Sequence, residues 1–244
     1  MSLPAPVLPL RPVTSFVRRS PRMNDSQRAA WHRLGQRFLV DGLARAQIDP
    51  LFVPQQPIDL ATLFGRDAAL LVEIGAGSGE NLAAVAAARP SWNLLGFEVY
   101  DKVLGSAMSR LDRVGAQHVR LIQGDAVTGL QYLLQPGSVA EFHTYFPDPW
   151  HKTRHAKRRL ISPSFAALVA SRLAPGGLWR LATDWANYAD HIAAAFNSPD
   201  VAQLFVGGEA SRDKTRPLTK FEARAVAAGR LVTDFVYERT AQVV

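Results

Sequence analysis

An acid held between two prolines, Pro147-Asp148-Pro149, joins an apolar strand to a dense basic run in Phe142–Leu160, F-H-T-Y-F-P-D-P-W-H-K-T-R-H-A-K-R-R-L. Lys152, Arg154, Lys157, Arg158 and Arg159 contribute five of the chain's net seven positive charges, with no acid among them. A carboxylate at a strand end, beside positive charge suited to phosphates, points to chemistry on a nucleic acid. A basic run alone is as often a solvated helix face. The Asp-Pro-Trp placed just before this one shifts the balance toward function.

A second constellation precedes it. An apolar run, Ala69–Ile74, carries one acid near its end and opens into Glu73-Ile-Gly75-Ala-Gly77-Ser-Gly79. Glycines there allow a tight turn and close backbone approach to a ligand at a helix N-terminus. The dinucleotide pattern G-x-G-x-x-G would need glycine at 80, where Glu80 stands instead. Glu98 ends the next strand, about twenty residues on, where a carboxylate can take two ribose hydroxyls. Asp125 ends the third, where a carboxylate can accept from an adenine amine. Acids and glycines at three successive strand ends suit an adenosine ligand without a pyrophosphate.

These residues need a sheet to hold them, and the rest of the chain reads as one. Ser26–Ala46 has helical spacing, with Ser26 as cap, and Asp49–Pro57 reads as a connector. Strands are expected at Ala69–Ile74, Asn93–Val99, His118–Gln123, Ser138–Phe146, Leu178–Thr183 and Leu231–Glu238. Helices are expected at Asn81–Ala88, 101–114, Val127–Leu134, Ser164–Leu173, Trp185–Phe196 and Phe221–Ala228. A short segment near Val201–Val206 and a loop over Gly207–Thr219 complete the chain. Strands alternating with helices predict an α/β fold: a doubly wound, mostly parallel sheet with helices on both faces. Residues 26–244 are expected to form a single domain, with 26–57 its N-terminal helix and connector.

With 244 residues and 48% hydrophobic content the chain can build a large core. A pI near 10.1 favours an anionic partner. Without cysteines the chain has no disulfides or cysteine-based zinc sites, and it fits a reducing cytoplasm. No apolar run approaches membrane-spanning length. Residues 1–25 read as a flexible basic tail and arm. Prolines interrupt any signal-peptide core, a transit peptide is the weaker alternative, and Ser15–Arg22 is suited to folding over RNA.

The strand-end pattern resembles the class I S-adenosylmethionine-dependent methyltransferases, with their Rossmann-like fold, in the E-x-G-x-G-x-G form. That resemblance implies S-adenosylmethionine as cofactor and S-adenosylhomocysteine as product. It places Glu73 under the methionine part, beside Gly75 and Gly77, with Glu98 on the ribose and Asp125 facing the adenine. Exocyclic-amine methyltransferases often carry Asp-Pro-Pro-aromatic after the fourth strand; here the proline precedes the acid. A ring nitrogen such as guanine N7 carries a free lone pair, so no general base is required. Asp148 can then stabilise developing positive charge, or accept from the donor's amino group or the guanine edge.

F-P-D-P-W-H-K-T-R-H-A-K-R-R-L, the pair Thr183-Asp184 with Tyr188 behind it, Arg216-Pro-Leu-Thr-Lys-Phe-Glu222 and the early S-F-V-R-R together resemble the tRNA (guanine-N7)-methyltransferases, the TrmB family. The resemblance runs from Ser15 to Glu238; the Pro-rich first dozen residues match nothing in it. It implies methylation of N7 of a guanine in the tRNA variable loop, position 46, by a cytoplasmic enzyme with no obligatory protein partner. Carried onto matching positions, Asp148 is the catalytic acid and a cofactor contact. Lys152, Asp184, Thr219, Lys220, Phe221 and Glu222 contact the substrate guanosine or its backbone, and Arg154, Lys157, Arg158 and Arg159 grip RNA phosphates. The rival readings are a non-catalytic RNA-binding protein on this fold and an RNA exocyclic-amine methyltransferase.

Several residues have plainer readings. His151 and His155 have metal-ligand spacing, but amid five cations phosphate contact is the better expectation, and no metal is expected. Thr219 and Glu222 could simply open a helix. Trp185 and Tyr188 could pack a helix on the sheet, and Trp150 serves equally as core anchor or base platform.

Overall fold

The structure, a computed structural model, describes residues 15–16, 22–40 and 56–241. The tail, most of the basic arm, the end of the first expected helix and most of the connector lie outside the described residues.

Seven strands form one sheet in the order β3-β2-β1-β4-β5-β7-β6. Their ranges are β1 Leu70–Ile74, β2 Asn93–Glu98, β3 Val119–Gln123, β4 Val139–Tyr145, β5 Leu173–Thr183, β6 Phe205–Ala210 and β7 Thr233–Arg239. Pairs from β3 through β5 are parallel, and β7 runs antiparallel to both β5 and β6. Every residue of β1 and β2 is buried, because both sheet faces are covered. Strand alternation divides the core: Leu70, Val72, Leu95 and Phe97 join one cluster, Leu71, Leu94 and Leu121 the other.

The helices are α1 Asp25–Phe38, α2 Leu60–Phe64, α3 Glu80–Ala88, α4 Asp101–Arg113, α5 Ala126–Leu133, α6 Pro163–Arg172, α7 Ala186–Phe196 and α8 Lys220–Ala227. Helices α1, α3 and α4 cover one face; α5, α6 and α7 cover the other. The chain leaves the centre in opposite directions from β1 and β4. A crevice therefore opens at the carboxyl ends of these strands, where α/β folds bind ligands.

Four local expectations are corrected. The cap of α1 is Asn24, not Ser26: Asn24 Oδ1 accepts from Gln27 N at 2.9 Å while Gln27 Oε1 accepts from Asn24 N at 2.9 Å. This pair satisfies two orphan donors at once. Helix α1 stops at Phe38 because Leu39 leaves to bridge Leu121 of β3. Strand β5 begins at Leu173, with the Pro175-Gly176-Gly177 bend inside it. Strand β6 extends through Gly207-Gly208, which reads as the start of a loop. A Cβ on Gly207 would stand 2.2 Å from the Val236 carbonyl oxygen, so close pairing with β7 demands glycine.

Candidate active site

Glu98 and Asp125 are positioned by backbone N–H groups of the loops at the strand ends. The turn after β1 holds Gly75, Gly77 and Gly79 at φ 77°, 53° and 72°. These left-handed values let Gly75 N and Ala76 N both donate to the Phe97 carbonyl at 2.9 Å, pinning the turn to β2. Glu98 accepts from Gly77 N at 2.9 Å, Val99 N at 2.8 Å and Tyr100 N at 3.0 Å. Burial raises its pKa, and these three N–H groups oppose the rise. Asp125 caps α5, accepting from Thr128 N at 3.4 Å and Thr128 Oγ1 at 3.2 Å.

Glu73 is fully enclosed. Burial pushes its pKa up to about 8, with Asn81 opposing and Glu98 adding to the rise. Glu73 Oε2, Asn81 Oδ1 and the Tyr145 hydroxyl have no hydrogen-bond partner among the described residues. All three line the same cavity, of about 250 Å³, together with Gly75, Gly77, Glu98, Asp125 and Asp148. Three buried polar atoms without partners at one cavity wall are a demand for a polar ligand. Behind them the amide of Asn81 meets His143 Nδ1 at 3.0 Å, and His143 Nε2 meets Glu141 at 2.9 Å. Arg89 and Arg180 donate to Glu141 at 2.6 and 2.7 Å, and with His143 they hold its pKa down at about 2 despite burial.

The fourth strand end is built differently. Phe146 and Trp150, at φ 53° and 48°, flank Pro147-Asp148-Pro149; both are left-handed without being glycine. Such conformations cost about 1–3 kcal/mol each and persist only where the surroundings enforce them. Phe146 N donates to the Ala182 carbonyl at 2.8 Å, and the Arg216 guanidinium lies 4.9 Å from the Tyr145 ring centroid and 5.7 Å from that of Phe146. Asp148 opens to the cavity mouth. Partial desolvation raises its pKa, with the charge of Arg158 opposing.

The rim carries Thr219, Lys220 and Phe221, together with Ser15 and Phe16 of the arm. Thr219 caps α8, accepting from Glu222 N at 3.3 Å. Phe221 is 49% exposed, an aromatic face at the cavity mouth. The arm is held there by Trp150 Nε1, which donates to the Ser15 carbonyl at 3.1 Å, and by Arg158, which donates to the Phe16 carbonyl at 2.8 Å.

Three expected contacts stand elsewhere. Arg159 is 8% exposed and turns inward, donating to the Pro149 carbonyl at 3.0 Å and to Asn187 Oδ1 at 2.6 Å. It braces the proline turn rather than presenting charge to solvent, because the short 3-10 helix Thr153–Arg158 ends just before it and points it back. Glu222 faces away from the cavity, paired with Arg212 at 2.6 Å and Arg216 at 3.0 Å; Arg216 is fully buried and also pairs with Asp234. Asp184 accepts from Arg230 Nε at 2.7 Å and does not line the cavity. Lys152, Arg154 and Lys157 are exposed, and Arg158 lies over the Trp150 ring at 3.8 Å.

His151 and His155 meet Trp185 and Trp150 at 3.9 and 5.9 Å. Among the described residues no group of three His, Asp or Glu side chains gathers as a metal site, and no helix is long and apolar enough to cross a membrane. Tyr188 is buried, its hydroxyl accepting from Ile161 N at 3.2 Å. Sequence reasoning missed Asn81, Tyr145 and the seat of Ser15-Phe16. A signal existed for Asn81: it is a polar residue one position into the helix that follows the glycine turn.

Residues 67–235 match the family described as putative methyltransferase. The chain is 44% identical to the tRNA (guanine-N(7)-)-methyltransferase of Cutibacterium acnes over 94% of this chain and 84% of that one. It is 40% identical to that of Paraburkholderia xenovorans over 97% and 86%. Among solved structures, the 16S rRNA methyltransferase KamB superposes with a TM-score of 0.57 at 14% identity, over 76% of this chain and 95% of that one. The 16S rRNA (adenine(1408)-N(1))-methyltransferase of Catenulisporales acidiphilia does so with 0.52 at 15%, over 76% and 93%. These structures share the Rossmann-like class I methyltransferase fold. With identities of this size across nearly its whole length, the chain belongs to the tRNA (guanine-N7)-methyltransferase family.

Proposed function

We propose that the protein transfers a methyl group from S-adenosylmethionine to N7 of a guanine in tRNA, at position 46 of the variable loop, and that it works in the cytoplasm. The observation that carries this reading is the joining of two chemistries in one cavity. Strand-end acids and a glycine turn line its inner wall, and Asp148 with Thr219, Lys220 and Phe221 forms its mouth beside the basic run.

The residues present fit the cofactor. Glu73 Oε2 and Asn81 Oδ1 are buried and lack partners, and a ligand ammonium would pair with both as Glu73 gives up its proton. Glu98 has three of its roughly four acceptor sites taken by backbone N–H groups, leaving capacity for a ribose hydroxyl. Asp125 stands at the third strand end for the adenine. When bound, S-adenosylmethionine supplies the methyl group.

The chain's own residues do the rest by positioning and charge. Guanine N7 presents a lone pair, so no side chain has to remove a proton before attack. Asp148 stabilises the positive charge that spreads over the purine as the N7–carbon bond forms and the sulfur–carbon bond breaks. Its strained proline turn, braced by Arg159 and Arg216, keeps the carboxylate from relaxing away. Lys152, Lys220 and Phe221 receive the guanosine. Asp184 and Glu222 act through the arginines they hold, and Arg154, Lys157 and Arg158 meet RNA phosphates. The test is incubation with labelled methyl donor and unmodified tRNA, followed by digestion. N7-methylguanosine is expected at a single site. A methylated exocyclic amine, or RNA bound without label transfer, would replace this reading with one of its rivals.

A further inference from the structure

Glu80 occupies the place in the glycine turn where a dinucleotide-binding loop carries glycine, and nothing in the reading above uses it. It is the first residue of α3, beside the cavity. One carboxylate oxygen accepts from the Ser78 hydroxyl at 3.2 Å and lies 3.7 Å from the Arg110 guanidinium; Arg110 Nε also donates to the Ser78 carbonyl at 3.0 Å. The other oxygen accepts from the backbone N–H of Lys220 at 2.8 Å, across 140 residues of chain. That N–H is the first of α8, one of the donors a helix leaves without an internal partner.

We propose that Glu80 is a positioning residue that latches the substrate-binding segment Thr219–Phe221 to the donor-binding loop, so that donor and RNA each strengthen binding of the other. The proposal rests on the function proposed above. From below, α8 is already anchored by Glu222 on Arg212 and Arg216. Its exposed first turn is bridged to the glycine turn by Glu80. A ligand that orders Gly75–Gly79 fixes Ser78 and Glu80, and through them the direction of Lys220 and Phe221. Glutamate suits this place twice over, since a helix N-terminus favours the negative charge on α3 and α8 alike.

The latch has a donor that can be deleted alone. Proline is tolerated at the first position of a helix and lacks the N–H. Thr219, at φ −70° and ψ 160°, already has the extended conformation that a following proline requires. Lys220→Pro, compared with Lys220→Ala, removes the hydrogen bond while holding the side-chain loss nearly constant.

S-adenosylhomocysteine and unmodified tRNA are titrated alone and in each other's presence. In the wild-type chain each is expected to tighten the other on the order of tenfold. In Glu80→Ala that mutual effect should fall to about onefold, KM for tRNA should rise about fivefold or more, and donor affinity alone should change less than about threefold. Lys220→Pro should lose the mutual effect that Lys220→Ala keeps, and adding Glu80→Ala to Lys220→Pro should change nothing further. Glu80→Gln, which keeps an acceptor, should retain part of it. The latch is overturned if the wild-type chain shows no mutual effect, if Glu80→Ala retains it, or if the proline and alanine variants match. Failure of the wild-type chain to methylate tRNA would instead remove the underlying function.

Discussion

The two halves of the cavity are built by different means. At the ends of β2 and β3 the acids Glu98 and Asp125 are held by backbone N–H groups of the loops at the strand ends, and each left-handed residue of the turn after β1 is glycine. After β4 the strained residues are Phe146 and Trp150, and in the segments around them Glu222 and Asp234 are held by Arg216 and Asp184 by Arg230. The donor half is a local, unstrained device. The acceptor half stores strain, within a frame of side-chain ion pairs between separate elements. The first binds a small molecule of fixed shape. The second has to keep a proline turn, a helix start and an arm in register around a base that arrives from a large RNA.

Removing Arg216 tests this contrast most severely. Arg216→Ala leaves Asp234 buried without the arginine it pairs with and Glu222 with Arg212 alone, so a loss of about 3–5 kcal/mol is expected in urea unfolding. Glu222 is held below its ordinary pKa by Arg212 and Arg216. Its contribution is therefore full above the unfolded value and disappears as pH falls through the folded one. A loss below about 1 kcal/mol would show that the proline turn does not depend on these pairs.

Next in size is the chemistry. Asp148→Asn keeps shape and removes charge, and the single-turnover methylation rate should fall about tenfold to a thousandfold with tRNA affinity nearly unchanged. An unaltered rate would take Asp148 out of the chemistry. A normal rate with lost donor affinity would move it to the donor half.

Glu73 gives the donor half a pH signature. With a folded pKa of about 8 against an ordinary 4.5, the folded ligand-free protein holds a proton that the unfolded chain releases between these values. Stability should fall across that window as pH rises. Glu73→Gln cannot titrate there, so it should match the wild-type trend below pH 4.5 and exceed it by on the order of 1–3 kcal/mol above pH 8. Parallel curves across the window would mean that the site keeps Glu73 ionised.

The smallest effects separate the cations of the basic run. Arg154→Ala and Lys157→Ala should each reduce the slope of log affinity for tRNA against log salt by about 0.7–0.9. Arg159→Ala should leave the slope alone and lower stability, since its guanidinium is committed to Pro149 and Asn187. A slope change for Arg159→Ala equal to that of Lys157→Ala would return it to the RNA surface.

Much of this protein could be read from the chain. Glu73, the three glycines, Glu98 and Asp125 were legible because each sits at the end of an apolar strand pattern, and the alternation of strands and helices announces a parallel sheet. The proline turn with Asp148, the exposed cations Lys152, Arg154 and Lys157, and the helix start at Thr219 were legible as well. Tertiary structure decided the rest. That β7 runs antiparallel follows from pairing with β5, which its own alternation does not specify. That Arg159 points inward, that Asp184 faces Arg230, and that Glu80 meets Lys220 depend on segments 28 to 140 residues apart being brought together by the fold. Side-chain type sets what a residue can bond with. For a charged group, whose possible partners are many and whose reach is long, only the folded sheet determines which partner is close enough to satisfy it.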